Sequence, residues 1–224
     1  MIRNKICPYC GKEILFNGDG NHPLYKSHEH LIPNSIFSSK RGNGKADFFV
    51  HRKCNAEKSQ MDEILGAISK IQSIDRATAV KAINKSLGTN NKKRFNEIFK
   101  NSKLNGNLRS AQLPFSASEI LSYMNFLAKG LHYKKYRKRL NLEKQIVIFS
   151  YLDPKFISKH IDIKELEVRF PHENINSGEC IILNYLRGEY YIFFNRTSGV
   201  YIQILKSNKK NFNKQNQSLS KFID

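Results

Sequence analysis

Acidic side chains are scarce in this 224-residue chain, where 19 Asp and Glu stand against 38 Lys and Arg and leave a formal net charge of +19. A charge this high favours a polyanionic partner, most simply nucleic acid. Long apolar runs are missing as well. No stretch reaches the roughly 18 apolar residues of a membrane-spanning helix, so no membrane partner is expected. Residues 1–16 hold cysteine and charged side chains where a secretory leader needs an apolar core, so a cytoplasmic protein is expected. Cysteine is sparse, at four residues, and a chain folding in the cytoplasm has little use for disulfides. No internal repeat is visible. What is present suits a folded chain: 40% hydrophobic and 11% aromatic residues exclude wholesale disorder.

Lys, Asn and Ile are abundant, so the charge could also reflect a coding bias. Its distribution bears on that choice. Residues 1–144 carry a net +16 and the tail 207–224 adds +3, whereas residues 145–206 balance seven basic against seven acidic side chains. A uniform bias would not leave one block neutral, so 145–206 reads as a different kind of module.

The periodicities predict an α+β chain. Residues 1–60 read as small strands and loops that need a staple. Met61, Ile64, Leu65, Ile68 and Ile71 follow helical spacing and predict a helix over 55–72. Val80, Ile83 and Leu87 suggest a second helix, and Phe95, Ile98 and Phe99 a third after Asn90-Asn91. Residues 101–109 look like a loop. Ser116 and Glu119 fit a capping box ahead of a helix with Ile120, Tyr123, Met124, Leu127 and Leu131 on one face. Beyond it, strands are expected over 145–151, 166–170, 180–186, 189–195 and 200–205. A short helix is expected over 153–160, with Pro154 at its first position. Arg187-Gly188 and Thr197-Ser198-Gly199 read as hairpin turns. The expected organisation is therefore a motif-bearing module over 1–72, a helical basic region over 73–144, a β-rich region over 145–206 and a flexible tail over 207–224.

Cys7-Pro8-Tyr9-Cys10 is a Cys-x-x-Cys knuckle, and His51-Arg52-Lys53-Cys54 supplies a second pair at the same internal spacing. Two such pairs can close a tetrahedral Cys₃His site for structural zinc. The alternatives are reduced core cysteines, or His22 or His28 in place of His51. Cys180 stands alone in a strand and reads as a small buried hydrophobe.

Between the knuckles lies Ser27-His28-Glu29-His30-Leu31-Ile32-Pro33, and directly after the second comes Cys54-Asn55-Ala56-Glu57-Lys58. In this order the pieces resemble the HNH endonucleases, ββα-metal nucleases, and in particular the zinc-stapled branch that includes phage endonuclease VII. The resemblance covers about residues 5–62. It implies metal-dependent hydrolysis of phosphodiester bonds, most simply in double-stranded DNA. His30 occupies the position of the general base. Glu29, just before it, and Asn55, at the start of the helix, occupy the positions that hold a catalytic Mg²⁺ or Mn²⁺. The family usually has Asp where Glu29 stands. The Asn that orients the family's catalytic His has no counterpart here, and Asp47 is the nearest polar candidate. In a regular strand Glu29 and His30 point to opposite faces, so sharing one metal requires the strand to end or bulge there. His28 is a rival base. Glu57 is either an extra ligand or an exposed helix residue.

Lys58 lies about one turn beyond Asn55 and either holds a phosphate or is a solvated helix lysine. The run at 129–139, with Lys134, Lys135, Arg137, Lys138 and Arg139 among Tyr133 and Tyr136, either tracks phosphates or is a solvated helix end. The neutral block either docks a partner protein or seals the helical region. HNH proteins with extra regions are associated with restriction and antiphage defence. Two further readings remain open: a non-catalytic zinc module that binds nucleic acid, and a nuclease subunit activated by a partner.

Overall fold

The computed structural model describes residues 1–37, 46–71, 76–87, 92–100, 103–105, 108–110 and 115–207. It is α+β. A two-stranded antiparallel hairpin pairs β1 (Lys26–Glu29) with β2 (Phe48–His51), in register Lys26 opposite His51 and Glu29 opposite Phe48. A 3-10 turn (Asn34–Ile36) lies between them. Then come α1 (Arg52–Ile71), α2 (Arg76–Leu87) and α3 (Lys92–Lys100). All three follow the apolar spacing, although α1 starts three residues earlier than expected, immediately after β2. The 101–109 region was expected to be a loop. Its described residues instead form a small hairpin of β3 (Lys103–Asn105) and β4 (Leu108–Ser110).

The capping box holds. Ser116 Oγ accepts from the Glu119 N–H at 3.2 Å while the Ser116 N–H donates to Glu119 Oε2 at 2.9 Å. This begins α4 (Ala117–Tyr136), whose apolar stripe buries Tyr123, Met124, Leu127, Ala128 and Leu131. Arg137 ends the helix in the left-handed conformation, φ 57°.

The C-terminal block is a five-stranded antiparallel sheet in the order β5-β9-β8-β7-β6, comprising β5 (Gln145–Leu152), β6 (His172–Ile175), β7 (Cys180–Asn184), β8 (Glu189–Phe194) and β9 (Ser198–Lys206). Two readings need correction. Residues 166–170 are not a strand; 166–169 belong to α6 (Ile163–Arg169), with Phe170 as its C-cap, and α6 follows α5 (Pro154–His160). Leu166-Glu167-Val168-Arg169 alternates like a strand, but Asp162 caps the segment by accepting from the Glu165 N–H at 3.1 Å, and Val168 faces solvent. The β8–β9 turn is made by Asn195 and Arg196, both at positive φ, while Ser198 and Gly199 are already in β9.

Both faces of this sheet are covered. Alternation sends Cys180, Ile182, Ile192 and Ile202 into one core with Leu127 and Leu131 of α4, Ile64 and Ile68 of α1, and Leu31 and Ile32 beyond β1. Ile181 and Phe193 point the other way, onto Ile157 of α5 and Ile163 of α6. The 145–206 block thus seals the helices that carry the N-terminal motifs. Cys180 is fully buried in this core. The tail beyond residue 207 lies outside the described residues. Among them, no helix is long and apolar enough to cross a membrane.

Candidate metal centre and its surroundings

Cys7, Cys10, His51 and Cys54 converge although 47 positions separate the first from the last. Their ligand atoms all lie within 4.8 Å of one another. The knuckle forms because the Cys7 N–H donates to Lys12 O at 2.9 Å and the Gly11 N–H to Cys7 O at 2.9 Å. That turn needs φ +80° at residue 11, a conformation open to glycine. The second pair comes from the last residue of β2 and the first turn of α1. The centre therefore pins the N-terminal knuckle to the junction of hairpin and helix.

The side-chain chemistry suits a metal. His51 Nε2 sits 2.8 Å from Glu13 O, which can only accept, so Nε2 carries the proton. Nδ1 then keeps its lone pair, 3.0 Å from Cys10 Sγ. Such an outer hydrogen bond is the usual device that orients a ligating histidine. The Cys7 thiol is pulled down to about 5, first by its hydrogen bond with Cys54, then by backbone groups of Cys10, His51 and Tyr9, against burial. Its partner Cys54 is pushed up by the same hydrogen bond and by burial. A divalent cation is what lets neighbouring thiols ionise together. The four residues could hold a metal ion such as zinc.

The catalytic set is arranged differently from expectation. Ser27 and Glu29 share the hairpin face turned to α1, whereas His28 lies on the opposite face against the Phe49 ring, 5.2 Å between centroids. Asn55 Nδ2 donates to Ser27 Oγ at 2.8 Å, which leaves Asn55 on the first turn of α1 beside β1. His30 leaves the end of β1 half-buried. Its carbonyl accepts from Lys58 Nζ at 3.3 Å. Asp47 fixes the next residue, accepting from the Leu31 N–H at 3.0 Å, and pairs with Lys134 at 2.8 Å.

Glu29 and Lys58 do not face solvent. Both are 0% exposed. Lys58 Nζ lies 3.0 Å from Glu29 Oε1 in an ion pair not aligned as a hydrogen bond, and donates to both Asp62 oxygens at 2.8 and 2.9 Å. Tyr123 OH donates to Asp62 Oδ1 at 2.7 Å. Burial pushes the carboxyls of Glu29 and Asp62 up, with Lys58 opposing. Burial acts to lower Lys58, but the two carboxylates outweigh it and hold it above its ordinary value. Tyr9, also buried, is pushed well up by burial and then by Glu29. Two expectations change. Lys58 is not placed to hold a phosphate, because it is enclosed between two carboxylates. Glu29 does not fit as a ligand of a hydrated Mg²⁺ or Mn²⁺, because its charge is directed to Lys58 in a site closed to water.

No family model, curated protein or solved structure matches the chain. The resemblance to HNH endonucleases accordingly rests on the sequence motifs alone.

The basic run is split in use. Lys134 is bound by Asp47 and by Glu173 of β6, so it ties the hairpin to the sheet and is not free to meet phosphate. Lys135 lies over the rings of Tyr136 and Tyr190, 5.5 and 5.6 Å from their centroids. Tyr133 packs its ring against Phe48. Arg137, Lys138 and Arg139 are exposed. Arg139 reaches the knuckle, where it overlies Gly11, and with Lys129 it lines a cleft of about 750 Å³ that includes Cys10 and Cys54. Asp62 is absent from the sequence-based expectations, and Tyr123 enters them only as part of an apolar helix face. The i, i+4 spacing of Lys58 and Asp62 was the available signal.

Proposed function

We propose that this chain is an HNH-type endonuclease that hydrolyses phosphodiester bonds in DNA, with zinc stapling its N-terminal knuckle to the junction of hairpin and helix. The observation that supports this most is the convergence of the Cys₃His cluster on the β2–α1 junction, with His30 at the exit of β1 and Asn55 on the first turn of α1. His30 takes a proton from the attacking water. Imidazole is the side chain that most often serves as a general base near neutral pH. Asn55, held by Ser27, offers a carbonyl oxygen at the same end of the helix. A divalent cation in such enzymes offsets phosphate charge, and Glu29, turned inward onto Lys58, is not presented to such an ion.

Burial of Glu29 against Lys58 favours a second reading, a zinc module that binds nucleic acid without cutting it. One experiment separates the two. Supercoiled plasmid is incubated with zinc-loaded protein and Mg²⁺ or Mn²⁺, beside His30→Ala. The nuclease reading expects a loss of about 10²- to 10⁴-fold in rate for the variant. Equal cleavage by both proteins removes His30 as the base, and no cleavage by either leaves the binding module.

A further inference from the structure

The sequence divides its charge between a basic N-terminal part and a neutral C-terminal block, yet that block is not neutral everywhere. Its carboxylates are engaged. Asp153 and Asp162 cap α5 and α6, Glu165 pairs with Arg169, and Glu167 pairs with Arg196. Glu173 holds Lys134, Glu179 accepts from Asn176, and Glu189 accepts from Gln203. Arg187 and Lys206 have no such partner among the described residues.

These two cations meet a third. A cleft of about 480 Å³ opens between the end of α4, the β7–β8 turn and the end of β9. His132, Tyr136, Lys138, Arg187 and Lys206 line it, and among the described residues no carboxylate does. Lys138, Arg187 and Lys206 are exposed. The backbone holds their bases in place. Gly188 sits at φ +84°, its carbonyl accepts from the Ile204 N–H at 2.8 Å, and a Cβ there would strike Ile204 O. The turn carrying Arg187 is thereby clamped onto β9 two residues before Lys206. The left-handed Arg137 breaks the helix and turns Lys138 towards the cleft. Lys138 adjoins Arg139 in the chain, so this cleft neighbours the one beside the metal cluster.

We propose that this cleft grips the phosphodiester backbone of nucleic acid, which makes the strand-rich block part of the binding surface as well as a seal for the core. Cations in an acid-free concavity focus the local field, and each phosphate they neutralise releases counterions. The inference extends the proposed function but requires no hydrolysis.

The test uses the full zinc-loaded chain and a fluorescent DNA duplex, with affinity followed by anisotropy across a salt series. Arg187→Ala/Lys206→Ala is compared with Lys155→Ala/Lys164→Ala, which removes equal charge from α5 and α6. Thermal melts confirm that both variants are folded. Two lost phosphate contacts lower the slope of log K against log salt by about 1.8, at about 0.9 per contact; the control pair leaves most of the slope intact. Equal slopes for the two pairs overturn the cleft while leaving the endonuclease reading untouched. Failure of the wild-type chain to bind also overturns it, and plasmid cleavage then decides the nuclease reading separately. Slope loss without any cleavage supports the cleft and defeats the nuclease. Competition by poly-glutamate as strong as by DNA of equal charge overturns the assignment to nucleic acid.

Discussion

Lys58→Met removes the single cation that stands between two buried carboxylates. Methionine fills nearly the same space, so the change is mainly one of charge. The ammonium makes contacts of 2.8 to 3.0 Å with Asp62 and Glu29 and reaches the His30 carbonyl at 3.3 Å. Stripping one partner from a buried pair costs about 3–5 kcal/mol, because the remaining charge is left uncompensated. In a chain of this size each kcal/mol moves the melting midpoint by about 2–4 °C, so a loss of about 10 °C is expected near pH 8. The loss depends on pH with a definite sign. Burial raises Glu29 and Asp62 above their ordinary values of 4.5 and 3.8, and Lys58 limits the rise. A carboxyl raised by folding gives its full contribution below the unfolded value and loses it as pH climbs through the folded value. Without Lys58 both folded values move further up, so the variant loses more stability between pH 6 and pH 8 than the wild type does. Urea denaturation of both zinc-loaded proteins at the two pH values measures the difference. Adding Glu29→Gln should restore part of the loss, as the two residues are in contact. A cost below about 1 kcal/mol at pH 8 would refute the network as an ion-paired unit, and so would a cost unchanged between the two pH values.

Cys7→Ser should abolish zinc binding; elemental analysis should give one zinc per wild-type chain and none for the variant, and a chelator should lower the wild-type melting midpoint. Ser116→Ala removes the cap of α4 and should cost about 1 kcal/mol in denaturant unfolding. The Ser116 backbone and Arg94 hold Glu119 below its ordinary value. Its contribution is therefore present above the unfolded value and lost as pH falls through the folded one. Glu119→Gln should accordingly flatten the acid limb of the stability profile. Ile192→Ala opens the core shared by sheet and helices and should cost about 2–5 kcal/mol.

Local signals account for what was legible in the sequence. The Cys₃His cluster could be read because each half carries its own spacing, and α1 to α4 because their apolar residues repeat with the helical period. The capping box at Ser116 and Pro154 at the start of α5 gave usable boundaries. Where a cap competed with an alternation, as at Asp162, the cap prevailed and α6 formed. Strand β6 escaped notice because His172, Glu173 and Asn174 are polar at a sheet edge. The burial of Glu29 had no nearby signal on its own strand. It depends on Lys58 and Asp62 in α1 and Tyr123 in α4, which meet only once the helices pack. Arg187 and Lys206 were hidden differently: counting charge by segment averages a polarised surface to zero.

Strand order also imposes a schedule on synthesis. β5 has its sheet partner in β9, the last strand described, and β9 in turn lies between β5 and β8. As the chain emerges from its N-terminus, the cluster ligands and α1 to α4 are complete long before β5 can pair. Until residue 206 is made, the apolar stripes of α1 and α4 lack the part of their cover that β9 supplies, and β5 is an unpaired edge. Such late, non-local closure is slow and exposes apolar surface in the meantime. A nascent chain stalled before β9 would carry all four cluster ligands on a partly open core, a natural target for chaperones.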